Sequence, residues 1–151
     1  MYTLSYAIPV NPPGATPVLT REQVWRGLEM KAENALPFVP GMQKCVVVER
    51  SENMILRDVT FAGDSHRERI FLHKPVQVQF ERVGEGGFIQ NTISESESGL
   101  WLTFTFGLNF PSTEPGSAAE REKGDGMQHA YIGAVAATLK RVREMVQAGE
   151  L

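Results

Sequence analysis

Arg57, Glu68 and Asn91 are the residues of this chain best suited to chemistry, because each interrupts a run of alternate apolar positions. Arg57 shares its spacing with Val59 and Phe61, Glu68 with Ile70 and Leu72, and Asn91 with Ile89 and Ile93. A polar group on a face that folding buries is costly unless it finds a partner, and an unpaired charge is costlier still. Arg57 and Glu68 stand diagonally across one hairpin and can answer that demand as an ion pair. Alternatively, all three line a cavity, where an arginine, a carboxylate and an amide would hold a carbonyl, hydroxyl or carboxylate of a ligand. Tyr131 adds a hydroxyl on an apolar helical stripe, either aimed at the same cavity or bonded to backbone as a core tyrosine. Phe104 and Val78, on the same face of the sheet, are the expected apolar wall.

Other chemistries find little support. His66, His73 and His129 fall at turns or near a helix start, without the spacing of a metal site, so they are expected in solvent with no metal and no cofactor. Cys45 has no activating neighbour in sequence and reads as a small buried residue. No Gly-x-Ser-x-Gly elbow occurs, and Gly84-Glu85-Gly86-Gly87 lies between strands rather than before a helix, which argues against phosphate binding. Trp25 is expected to pack under the sheet.

These residues need a sheet and helices to position them. Leu4, Tyr6 and Ile8 alternate in a first strand that ends at Pro9. Thr20 and Gln23 form a capping box, with Leu19 and Val24 as a hydrophobic staple, and the helix that follows turns Val24, Trp25, Leu28 and Ala32 inward to about Asn34. The apolar stretch 35–41 is a turn or a second short helix. Strands are expected near 43–50, 54–61, 66–72, 76–82, 88–94 and 100–109, joined by short turns and therefore antiparallel. With loops at 62–65 and 73–75, Phe61 faces His66, Arg57 faces Ile70, and Ile70 faces Val78. That register collects Arg57, Val59, Phe61, Glu68, Ile70, Leu72, Val76, Val78, Phe80, Ile89, Asn91, Ile93, Leu102, Phe104 and Phe106 on one face and a polar set on the other. Residues 111–126 lack periodicity and are expected as a mobile loop beside the cavity. The last segment, 127–151, spaces Met127, Tyr131, Ala134, Val135, Thr138, Val142, Met145 and Val146 as a helical stripe. Arg143 falls on its solvated side. Small residues at Gly133, Ala134, Ala136 and Ala137 leave room for a pocket. The fold class is therefore α+β, a curved antiparallel sheet of about seven strands wrapped around a long C-terminal helix.

Its 151 residues suit one domain, 1–151. A net charge of −3 without a basic cluster argues against nucleic acid, and no apolar run reaches the roughly 20 residues of a membrane span. One cysteine and the lack of a signal-like start fit the cytoplasm.

Several stretches resemble the AtaL-like family of the START/Bet v 1-like (SRPBCC, polyketide cyclase-related) superfamily. They are Pro9-Val10-Asn11-Pro12, Leu19 to Leu28, Lys31-Ala32, Phe38-Val39-Pro40, Cys45, Arg57 to Phe61, Leu72 to Val76, Asn91-Thr92-Ile93 and Leu102 to Phe106. The resemblance spans nearly the whole chain. It implies a helix-grip fold, a hydrophobic cavity and kinship with polyketide cyclases and carriers of aromatic ligands; it carries no catalytic motif. The leading expectation is binding of a small hydrophobic or aromatic molecule between sheet and C-terminal helix. The competing one is a cyclase or dehydratase acting on a carbonyl substrate, with Arg57 polarising the carbonyl and Glu68 or Tyr131 moving a proton. A homodimer through outward-facing Phe71 and Trp101 is a further expectation.

Overall fold

The computed structural model describes residues 1–151. The chain runs β1 (Tyr2–Pro9), α1 (Arg21–Glu33), β2 (Met42–Arg50), β3 (Met54–Phe61), β4 (Asp64–His73), β5 (Gln77–Arg82), β6 (Gly87–Ser96), β7 (Gly99–Leu108) and α2 (Ala118–Gln147). The strands form one curved antiparallel sheet in the order β1-β7-β6-β5-β4-β3-β2, gripping α2: an α+β helix-grip fold. Residues 35–41 form turns rather than a second helix.

The α1 start follows from its capping box. Thr20 Oγ1 accepts from Gln23 N at 3.2 Å, and Thr20 N donates to Gln23 Oε1 at 2.9 Å. Val24, Trp25, Leu28 and Ala32 are fully buried beneath the helix.

Two hairpin registers differ from the expected ones by two residues each. Ala62-Gly63 is a two-residue turn with both φ angles positive, 51° and 85°, so Phe61 pairs with Asp64 and Arg57 sits directly opposite Glu68. At the next turn Ile70 pairs with Phe80 and Leu72 with Val78, leaving Val76 exposed in the turn. A shift of two residues leaves every side chain on its face, because the pleat repeats every two. The expected face is therefore preserved, with uneven burial: Arg57, Val59, Glu68, Ile70, Val78, Phe80, Asn91, Ile93, Leu102, Phe104 and Phe106 are buried, while Phe61, Leu72 and Ile89 are half-buried.

The loop expected over 111–126 is half helix. Ser117 caps α2, accepting from Glu120 N at 3.1 Å, and residues 118–126 are helical despite two glycines. Gly124 is there for close approach: a Cβ on it would stand 2.2 Å from the Tyr2 ring. Arg143 is not on a solvated face but clamps the 10–19 connection, donating to Pro17 O and Val10 O at 2.6 Å each. Val135, Thr138, Leu139, Val142 and Met145 bury the stripe of α2.

Candidate functional site

Between the sheet and α2 lies a cavity of about 300 Å³ lined by 19 residues, 11 of them hydrophobic. β3 contributes Arg57, Val59 and Phe61, β4 His66 and Glu68, and the inner strands Phe80, Ile89, Phe104 and Phe106. The α2 wall is Ala130, Tyr131, Gly133 and Ala134, which stand off the sheet because they are mostly small. A Cβ on Gly133 would meet no atom within 4 Å. Ala136 and Ala137, expected beside them, are not part of this wall; Ala136 is exposed and Ala137 half-buried.

Arg57 and Glu68 form a buried ion pair. Arg57 Nε donates to Glu68 Oε2 at 2.8 Å and Nη2 lies 2.8 Å from the same oxygen; Oε1 takes part in neither contact. Arg57 Nη1 donates to the carbonyls of Lys31 at 2.8 Å and Ala32 at 2.9 Å. The guanidinium thus bonds the end of α1, where backbone carbonyls lack helical partners, to the sheet. With these donors committed to protein acceptors, Arg57 is first a bolt between elements, although it borders the cavity.

The residue that pattern reading passed over is Lys31. It is 6% exposed and borders the cavity, and its ammonium donates to Asn91 Oδ1 at 2.7 Å. Its Nζ lies 4.5 Å from the Phe104 ring centroid and 5.3 Å from that of Phe80. Arg57 Cζ lies 5.3 Å from the same Phe80 ring. Burial, reinforced by the Arg57 charge and opposed by that of Glu68, pushes the Lys31 ammonium down to about 7. A signal for it was present: Lys31 continues the inward stripe of Val24 and Leu28 at helical spacing.

Asn91 is fully buried behind Lys31 as its acceptor and does not itself line the cavity. Val78, paired with Asn91, is likewise fully buried in the core and not part of the cavity wall, because its side chain is covered before it reaches the open space. Phe104 lines the cavity as expected. Tyr131 does too: its ring stacks on Phe106 at 4.8 Å, and its hydroxyl donates to the Met127 thioether at 3.4 Å rather than to backbone. Burial pushes the Tyr131 phenol up to about 12, with Arg82 opposing and Tyr2 reinforcing.

Of the three histidines expected in solvent, His73 and His129 are exposed, and only His66, half-buried, needs correction. The short β3–β4 turn places His66 within β4, where its Nδ1 lies 2.7 Å from Glu85 Oε1, and both His66 and His129 border the cavity. Beyond them a second, more polar space of about 290 Å³ shares Phe61, His66, Arg82 and Tyr131 with the first and adds Asp64, Glu85 and Lys123. No group of His, Cys, Asp and Glu side chains has the arrangement of a metal centre. Trp25 is packed at 0% exposure, and Cys45, only half-buried, accepts from Ala35 N at 3.4 Å.

Residues 4–149 match the family described as acetylaranotin biosynthesis cluster protein L. The protein of that name from Aspergillus terreus (strain NIH 2624 / FGSC A1156) is 23% identical over 152 residues, covering 99% of this chain and 93% of its own length. Among solved structures, the Zhui aromatase/cyclase from Streptomyces sp. R1128 superposes with a TM-score of 0.67 at 15% identity, covering 98% of this chain and 97% of that one. Ara h 8.0201 superposes at 0.51 with 13% identity, covering 93% and 97%. At these identities the two structures establish the shared fold.

Proposed function

This chain belongs to the acetylaranotin biosynthesis cluster protein L family, and from that premise we propose that it binds a small hydrophobic or aromatic molecule between the sheet and α2. The observation that carries this reading is the cavity of about 300 Å³, walled by Val59, Phe80, Ile89, Phe104 and Phe106 and bordered by a few convergent polar groups. Apolar walls with sparse polar anchors are how proteins hold compact organic ligands. The reading treats residues 1–151 as one domain acting in the cytoplasm; no helix is long and apolar enough to cross a membrane.

Titration with the fluorescent probe anilinonaphthalene sulfonate tests it. Wild-type protein is expected to enhance the dye's emission saturably. Gly133→Phe, whose ring enters open space, is expected to abolish the enhancement while keeping the helical circular dichroism. Equal dye binding by both proteins would place the dye elsewhere and remove the reading's support.

An enzymatic reading has its own support, since the Zhui neighbour is an aromatase/cyclase. Here a carbonyl substrate would sit in the same cavity, with Glu68 or Tyr131 as the proton-handling group. The homodimer expected through Phe71 and Trp101 is less well supported: both are half-buried, and β7 and β4 are separated by β6 and β5, so they do not form one patch. The one consecutive run of exposed apolar side chains is instead Val46, Val47 and Val48 on edge strand β2; Tyr6, Val18, Leu36, Val76 and Val83 are exposed elsewhere.

A further inference from the structure

We infer that Lys31 is a reactive amine that captures an aldehyde or ketone group of the cavity's ligand as an imine, an inference that rests on the ligand-binding reading above and names the ligand's chemical class. The chain has five lysines, and Lys44, Lys74, Lys123 and Lys140 are all exposed. Lys31 alone is buried, and it borders an apolar cavity large enough for an aromatic carbonyl compound.

A lysine at this position could have been neutralised by a carboxylate. Instead its hydrogen-bond partner is the neutral Asn91 amide, while Glu68 on β4, the carboxylate whose charge it feels, is taken up by Arg57 on β3. A desolvated lysine beside a second cation is the arrangement that keeps an amine free to act as a nucleophile. The lowered protonation range of Lys31, about 7, is the consequence. Asn91 serves both protonation states. Its Oδ1 accepts from the ammonium, and its Nδ2, buried without a partner, can donate to the neutral amine once the amide turns.

The step balances within these groups. The Lys31 Nζ lone pair adds to the carbonyl carbon, and the carbonyl π pair moves to oxygen. The two protons that the amine nitrogen surrenders end on that oxygen, which leaves as water, and a carbon–nitrogen double bond remains. The Tyr131 hydroxyl, held neutral by burial, lines the same cavity and can relay a proton to the departing oxygen.

Incubation of the full chain with naphthaldehyde and cyanoborohydride near neutral pH, followed by intact mass and peptide mapping, tests the inference. Among the lysines the adduct is expected at Lys31, forming at least roughly ten-fold faster than at any other lysine, as an activated nucleophile should, with modification of the Met1 α-amine mapped separately. Lys31→Arg, checked for folding by circular dichroism, is expected to lose the fast adduct. Mapping on the wild-type chain decides the matter even where that variant does not fold. Adducts confined to the Met1 α-amine, Lys44, Lys74, Lys123 and Lys140, with anilinonaphthalene sulfonate still bound and displaced by naphthaldehyde, would overturn the imine and leave ligand binding standing. Neither adduct at Lys31 nor dye binding would overturn both.

Discussion

At the scale of single residues, Arg57 shows how an arginine can border a pocket and still serve mainly the fold. It pairs with Glu68 and bonds two carbonyls at the end of α1, all below the surface. Removing one partner of such a pair strands the other charge in a poorly solvating interior. Arg57→Met is therefore expected to lower stability by about 3–5 kcal/mol in urea unfolding. Arg57→Met with Glu68→Leu should recover much of that loss, since no charge is then left alone. If the double variant is as unstable as the single one, the helix-end carbonyls rather than the ion pair dominate. That Arg57 and Glu68 meet was readable from alternation and one turn. Lys31 was overlooked because a single charged residue on a helix stripe has the same sequence signature whether it lies inward or snorkels outward. Only the position of Asn91, 60 residues on, made the inward placement favourable.

At the scale of elements, Gly27 of α1 and Gly133 of α2 serve opposite purposes. A Cβ on Gly27 of α1 would stand 2.3 Å from Val142 Cγ2 on α2, and β-branched valine has little freedom to move aside. Gly133 of α2 faces open space. Gly27→Ala should destabilise by about 1–3 kcal/mol through overpacking, despite its better helix propensity. Gly133→Ala should stabilise by up to about 1 kcal/mol from propensity alone. Thermal unfolding of the two variants checks this; shifts of the same sign would contradict the helix contacts described. The strands were legible because alternation, short turns and one buried face constrain them together, and the two-residue register shifts did not alter which side chains meet the core. The start of α2 was not legible. Gly124 and Gly126 look like loop residues until Tyr2 is packed against the first of them.

At the scale of the whole molecule, the folding equilibrium feels the protonation of Lys31. Its folded pKa of about 7 lies below the ordinary 10.5. Between these values the unfolded chain holds a proton that the folded one lacks, so stability rises with pH across that window, by at most about 1.4 kcal/mol per unit. Below about pH 7 both states are protonated and this slope vanishes. Urea unfolding of wild type and Lys31→Met is therefore expected to show the wild type gaining relative to the variant from about pH 7 toward about pH 10. Parallel profiles would mean that Lys31 is solvated in the folded protein. Periodicity and turn chemistry are local and repeat many times along the chain, so they suffice to specify the sheet, its apolar face, α1 and the C-terminal part of α2. Alternation also marks Arg57, Glu68 and Asn91 as polar residues that must find partners. The cavity, the committed bonds of Arg57, the retreat of Val78 and Asn91 from the wall and the burial of Lys31 arise from packing. Each depends on how far α1 and α2 stand from the sheet, a distance set by contacts between residues remote in the chain.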